Sequence, residues 1–237
     1  MNLLLAIKTL RVVPVFFLFC VFVSALFYPG GNIHDSSQEG YSFTHNFLSD
    51  LGGYESHSSE QNFLSNFFFN MSMFVFALVG IAFLRIPQLF RDNTLNWYLS
   101  CLGSFFLFIG TLFFAGVGLT PYDLYLDIHI FFALNAFRLM VPGCLCFLIV
   151  LLRSNVQKRY AFIAGFYLFS VIAYVCYQLL STGNPFEDIN EMIRQATIQK
   201  IIVILSVISV LSFSFAFEAQ RKILQQTNTN HADQQND

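Results

Sequence analysis

Charge is scarce in this sequence. Of its 237 residues only 11% are Asp, Glu, Lys or Arg, against about 25% in an average soluble domain. The formal net charge is −2, so no basic field exists to hold phosphates, and nucleic acid is excluded as a partner. Cysteine is missing from every polar connection. Cys20, Cys101, Cys144, Cys146 and Cys176 all fall inside apolar runs, which argues against an exposed disulfide framework and against a zinc site built on paired cysteines. What the chain has in excess is apolar surface: 56% hydrophobic residues, 31 of them Phe, with a mean hydropathy of +0.60. That excess excludes a disordered chain and an ordinary soluble enzyme, and leaves a polytopic membrane protein.

A spanning helix needs roughly 20 apolar residues, and six such runs occur, near 12–28, 63–84, 97–119, 128–152, 160–180 and 198–217. None alternates polar and apolar residues as a membrane barrel strand does, so the expected class is all-α, a six-helix membrane bundle. Lys8, Arg11, Arg85, Arg91, Arg153, Lys158, Arg159, Arg221 and Lys222 fall on one side of these spans, while only Arg194 and Lys200 fall on the other. Basic residues concentrate on the cytoplasmic side, which places both termini there and most Asp, Glu and His outside. The reading is one transmembrane domain over 1–219, with a long outer loop at 29–62, and a polar, disordered cytoplasmic tail over 220–237. The basic start and Val23-Ser24-Ala25 also have the form of a cleavable signal peptide. Tyr41, Phe43, Phe47, Leu48 and Leu51 give the outer loop apolar contacts, and a short amphipathic helix ended by Gly52-Gly53 is expected there.

Polar residues inside the spans single out candidate sites. Arg138 falls near the middle of the fourth span, where an arginine costs at least ~2.5–3.5 kcal/mol unless paired or hydrated. Pro142, four residues on, frees the carbonyl of residue 138. Asp127 precedes Arg138 by eleven positions and so shares its face, while His129 turns to a different neighbour. Asn62, Asn66 and Asn70 recur at i, i+4 and i+8 and form one stripe descending from the outer end of the second span, either as bonds between helices or as a cavity wall. The outer loop adds His34, Asp35, His45, Asn46, Ser49, Asp50 and His57. Tyr167, Tyr174, Tyr177 and Gln178 of the fifth span are placed to reach a cavity or the interfacial belt. The candidate ligand-binding set is therefore Ser49, Asp50, Asn66, Asn70, Asp127, His129 and Arg138. No catalytic residue is assigned and no cofactor is expected. His45, Asp50 and His129 are the weak candidates for a metal ion, although no spacing matches an H-E-x-x-H motif.

Two segments carry a family resemblance: Tyr28-Pro-Gly-Gly with His45-Asn-Phe-Leu-Ser-Asp-Leu-Gly52, and Gly116-Val-Gly-Leu-Thr-Pro-Tyr-Asp123 leading to His129. Together they resemble the bacterial membrane family catalogued as domain of unknown function 998. The resemblance implies six spans, a bacterial inner (plasma) membrane and a site near Ser49, Asp50, Gly52, Pro121, Asp123 and His129, and it implies no reaction. Asn62-Phe-Leu-Ser65-Asn66 is similar to the Asn-x-x-Ser-Asn signature of the alkaline-ceramidase and adiponectin-receptor superfamily, but the last two spans contain none of the histidines that superfamily uses for zinc. The leading reading is a membrane protein with an outward-facing polar cavity for a lipid head group or small anion, its partners being the lipid bilayer and such a ligand. The alternatives are a metal-dependent lipid hydrolase at the outer leaflet and a structural or assembly subunit.

Overall fold

The computed structural model describes the backbone of residues 1–234, with side chains as far as Thr227. Among these residues it is all-helical, with six helices long and apolar enough to cross a membrane. They are α1 (Leu3–Leu26), α2 (Phe63–Phe83), α3 (Thr94–Leu119), α4 (Leu126–Arg153), α5 (Lys158–Leu180) and α6 (Ile189–Gln234). The chain is an integral membrane protein of the expected class.

The helices differ from the predicted spans at their polar ends. α1 starts at Leu3 because the Asn2 side chain caps it, accepting the Leu5 N–H at 2.8 Å, and because Ala6, Ile7 and Leu10 are buried on one face. Lys8 and Arg11 sit within that helix without interrupting it. α1 packs on α2 and α6 as a full member of the bundle, and Ser24, within the signal-peptide-like sequence, is buried. α6 runs 46 residues, about 70 Å at 1.5 Å per residue. Residues 220–234, read as a disordered tail, are therefore helical. Ala219, Ile223 and Leu224 pack against the core, so the apolar stripe continues past the point where hydropathy falls. Residues 235–237, the end of that predicted tail, lie outside the described residues.

Each helix packs on the next, and α6 closes the ring against both α1 and α5. The abundance of Phe is explained at the centre. Phe83, Phe147, Phe213 and Phe217 form a contiguous aromatic cluster with ring centroids 5.4–6.1 Å apart, Phe213 and Phe217 stacked within 11°. Small residues set the approach of α2 to α3, where a Cβ on Gly80 would fall 2.9 Å from Phe108 Cα and run into the Thr111 hydroxyl. At the end holding the chain termini, Arg11 donates to Ser214 Oγ at 3.4 Å and lies 4.3 Å over the Phe215 ring. Nearby, Arg153 Nε donates to Asn96 Oδ1 at 2.9 Å.

Gly80→Leu is expected to lower the unfolding temperature in detergent, because overpacking a tight helix crossing costs about 1–3 kcal/mol; an unchanged melting curve would show that α2 and α3 do not touch there.

Candidate functional site

Residues 29–62 cover the opposite end of the bundle. The chain enters through Gly31, whose φ of +79° is the left-handed region and where a Cβ would run into the backbone of His57 and Ser58. Gly30 then bridges Glu39 in antiparallel fashion. Tyr28 and Tyr41 meet edge to face, 5.8 Å apart. Burial, and secondarily the nearby Asp50 charge, push both phenols above their ordinary range.

In place of an amphipathic surface helix the loop forms a five-residue 3₁₀ turn, Leu48–Gly52, with Leu48, Asp50, Leu51 and Gly52 buried. The turn is drawn into the bundle because α2 supplies donors for its carbonyls. Asn62 Nδ2 donates to Leu51 O at 3.2 Å and Gly53 O at 3.0 Å, and Ser65 Oγ to Leu51 O at 3.0 Å. Asn66 Nδ2 donates to Gly52 O at 2.7 Å and Gly53 O at 3.0 Å, and Asn70 Nδ2 reaches Gly52 O at 3.2 Å. Ser24 of α1 braces the stripe by donating to Ser65 O at 2.7 Å. Only a glycine fits at 52, since a Cβ there would lie 2.7 Å from the Phe69 ring and 2.8 Å from Asn70 Oδ1.

α6 holds the turn from the other side. Gln199 Oε1 accepts the Leu48 N–H at 2.8 Å. Lys200, only 3% exposed, donates to the carbonyls of Asn46 and Ala196 and lies 5.4 Å from the centroids of the Tyr41 and Phe43 rings. A buried ammonium needs such partners. Asn46 is fully buried and joins the pieces: its amide nitrogen donates to Gly31 O at 2.8 Å and to Asp50 Oδ2 at 3.1 Å, while its oxygen accepts from Gln38 and from the Ser42 N–H.

Asp50 is 3% exposed. Its Oδ2 also accepts the Phe47 N–H at 3.0 Å, capping the turn, and His57 Nε2 lies 3.5 Å from the same oxygen. Its Oδ1 takes no hydrogen bond among the described residues. Asp50 lines a cavity of about 370 Å³ between the turn and the ends of α4, α5 and α6. Ser49, His57, Tyr122 and His129 share the loop end of this space. Ile130, Ala133, Leu134 and Phe137 of α4 form an apolar wall, facing Tyr174, Tyr177, Gln178 and Ser181 of α5 and Gln195 and Gln199 of α6. His129 Nδ1 is 2.6 Å from Thr120 O. A carbonyl only accepts, so Nδ1 carries the proton in this bond. Burial, followed by the charge of Asp50, raises the Tyr122 phenol too, so it is a neutral donor in this setting.

Of the candidate set, the structure brings Ser49, Asp50 and His129 together at the cavity. Asn66 and Asn70 lie behind the turn and hold its backbone; they do not line the cavity. Asp127 is exposed at the start of α4 and forms no ion pair with Arg138, whose Nη1 donates only to Asn135 Oδ1, at 3.4 Å. The shared helical face of Asp127 and Arg138 is real, but a separation of about 16 Å along the axis keeps the two apart. His45 bonds locally to Thr44 at 2.8 Å and does not line the cavity, and no group of three or more His, Cys, Asp or Glu among the described residues could hold a metal ion. Asp123 accepts the Glu55 N–H at 2.9 Å.

α6 contributes polar groups that no motif marks. Glu191, 1% exposed, accepts from Tyr177 at 2.7 Å, Gln195 at 2.8 Å and Ser181 at 3.1 Å and pairs with Arg194. Glu191, Gln195 and Gln199 recur at i, i+4 and i+8, the same spacing as the Asn stripe, so the signal was present. Tyr167 bonds to Ser206 at 2.8 Å, away from the cavity.

Asn62→Ala is expected to cost about 1–3 kcal/mol by leaving buried carbonyls without donors, read as a lower melting temperature together with faster protease cleavage within 29–62. Asn135→Ala, which removes a bond only to its own helix, should leave both unchanged; equal effects of the two variants would contradict the clamp.

No protein of curated function and no solved structure matches the chain. The family model for a protein of unknown function, DUF998, matches residues 12–216. The chain, with its Ser49-Asp50-Leu51-Gly52 turn clamped over six membrane helices, belongs to that family.

Proposed function

We propose that the cavity binds the head and upper chain of an amphipathic, lipid-like molecule with a hydrogen-donating or cationic head group, at the outer leaflet of the bacterial inner membrane. The observation that carries this reading is the asymmetry of the cavity lining. Acceptors cluster at the loop end, where Asp50 Oδ1 takes no hydrogen bond among the described residues, while the α4 wall is apolar. Leu126, Ile130 and Phe186 line the cavity and are also 39%, 40% and 53% exposed, which gives an alkyl chain continuous apolar contact from the bilayer to the site. A cavity of this size is in the ordinary range for a small-molecule site, about 300–1,000 Å³.

A small anion fits less well. No Lys or Arg is among the lining residues, and a carboxylate is. Lys200, next to the lining residue Gln199, is already committed to the Asn46 and Ala196 carbonyls, and Arg194 pairs with Glu191. The polar roof thus selects for a donor, and the walls select for hydrocarbon.

Binding of a fluorescent long-chain alkylamine to the purified protein, compared with the matching alkylcarboxylate, tests the reading. The amine is expected to bind more tightly, and Asp50→Asn to weaken it by about tenfold or more, since a hydrogen bond to a charged group contributes about 1.5–3 kcal/mol. Asn keeps an oxygen for the Phe47 N–H, so the turn should survive. Equal binding of the two probes, or an unchanged affinity in the variant, would remove Asp50 from any such site.

A further inference from the structure

We infer that α4 presents an interface for a transmembrane helix of another protein, one that carries a carboxylate near mid-membrane to pair with Arg138. Arg138 lies twelve positions into α4 and fifteen from its end, roughly 18 Å from one end and 22 Å from the other, so it sits near the bilayer centre. Its guanidinium has one hydrogen bond, at 3.4 Å to Asn135, and Nε has no partner among the described residues. Arg138 itself does not line the ligand cavity, whose α4 wall runs through His129, Ile130, Ala133, Leu134 and Phe137 and so borders the Arg138 face at Leu134.

The face around Arg138 is only partly covered: Phe131 meets the Phe113 ring of α3 at 5.8 Å and Asn135 bonds only within α4. Positions 127, 131, 135, 138, 142, 145, 149 and 152 follow helical spacing along one face, and none of them is buried. By contrast Ala136, Met140, Gly143 and Phe147, on the opposite side of α4, are all buried, and a Cβ on Gly143 would meet Leu107 of α3 at 2.7 Å. So α4 has its own bundle contacts on one side and an open face on the other. That face holds an arginine, an asparagine, and at Pro142 the residue that frees the Arg138 carbonyl. Lipid tails offer none of these groups a partner.

Charge complementarity names the occupant. Lipid phosphates lie about 15 Å from the midplane of a hydrocarbon core about 30 Å thick, beyond the depth of this side chain. A second copy of this chain does not answer either. Among the described residues no Asp or Glu lies at that depth, the nearest on this face being Asp127 about 16 Å away along the axis, and two parallel copies would oppose Arg138 to Arg138. What remains is a helix from a different chain with an acid at its centre, pairing with Arg138 in the dry core, with Asn135 beside it as a further hydrogen-bonding group. This inference is independent of the ligand reading.

The test uses the full chain, donor-labelled and reconstituted in phosphatidylcholine vesicles, with acceptor-labelled synthetic polyleucine helices carrying a single central Glu, Gln or Leu. Energy transfer should report association of the Glu helix about tenfold tighter than the Leu helix, with the preference lost in Arg138→Leu. The same variant should melt in detergent at an unchanged or higher temperature, because it removes a charge the chain does not itself compensate. Equal association of all three helices, persistence of the Glu preference in the variant, or a lowered melting temperature that marks Arg138 as an internal structural partner would each overturn the inference.

Discussion

Backbone polar groups brought to the depth of a membrane must find partners within the protein, and the turn at Leu48–Gly52, with Gly53 capping it, is where this chain meets that demand. A loop that merely capped the bundle would leave its carbonyls to water. This one is drawn down among the helix ends, so its carbonyls depend on Asn62, Ser65, Asn66 and Asn70. The rest of the site follows from that clamp. With the carbonyl side taken by α2, the opposite side faces α4, α5 and α6. Asp50 then spends one oxygen on the turn and keeps the other toward the cavity.

Two cations within the spanning helices, Lys200 and Arg138, make a useful contrast. Lys200 is deeply buried yet fully answered, by two carbonyls and two aromatic faces. Its role is to hold the loop to α6, and it accounts for why a buried charge is tolerated there. Arg138 is less buried and barely answered. Identical sequence logic, a basic residue in or near a span, thus has opposite structural meanings, and only the list of partners separates them.

Much of the architecture is legible in the sequence because hydropathy is a sum over about twenty residues, and such sums survive local errors. Helix ends are not, since they turn on single contacts: the Asn2 cap extends α1, and Ile223 with Leu224 extend α6 beyond the hydrophobic run. In the site, Ser49, Asp50 and His129 were readable from short motifs. The Asn stripe was visible as a stripe, yet its partner, the backbone of a loop nine or more residues earlier, leaves no trace in side-chain spacing. Arg138 and Asp127 share a face by helical geometry, but azimuth says nothing of the distance along the axis. The Glu191, Gln195 and Gln199 stripe is equally periodic but straddles the boundary between the connecting segment and the sixth span at 198, which divides its periodicity.

The central claim is that the turn at Leu48–Gly52 is a fixed part of the bundle. Amide hydrogen exchange over residues 46–53 in the detergent-solubilised full chain tests it most directly. The account predicts protection approaching that of the neighbouring turns of α2, because the N–H groups of Asn46, Phe47, Leu48, Asp50 and Gly53 are all hydrogen-bonded beneath a packed loop. Exchange as fast as in an unstructured loop would contradict it, and with it the placement of Asp50 at the cavity.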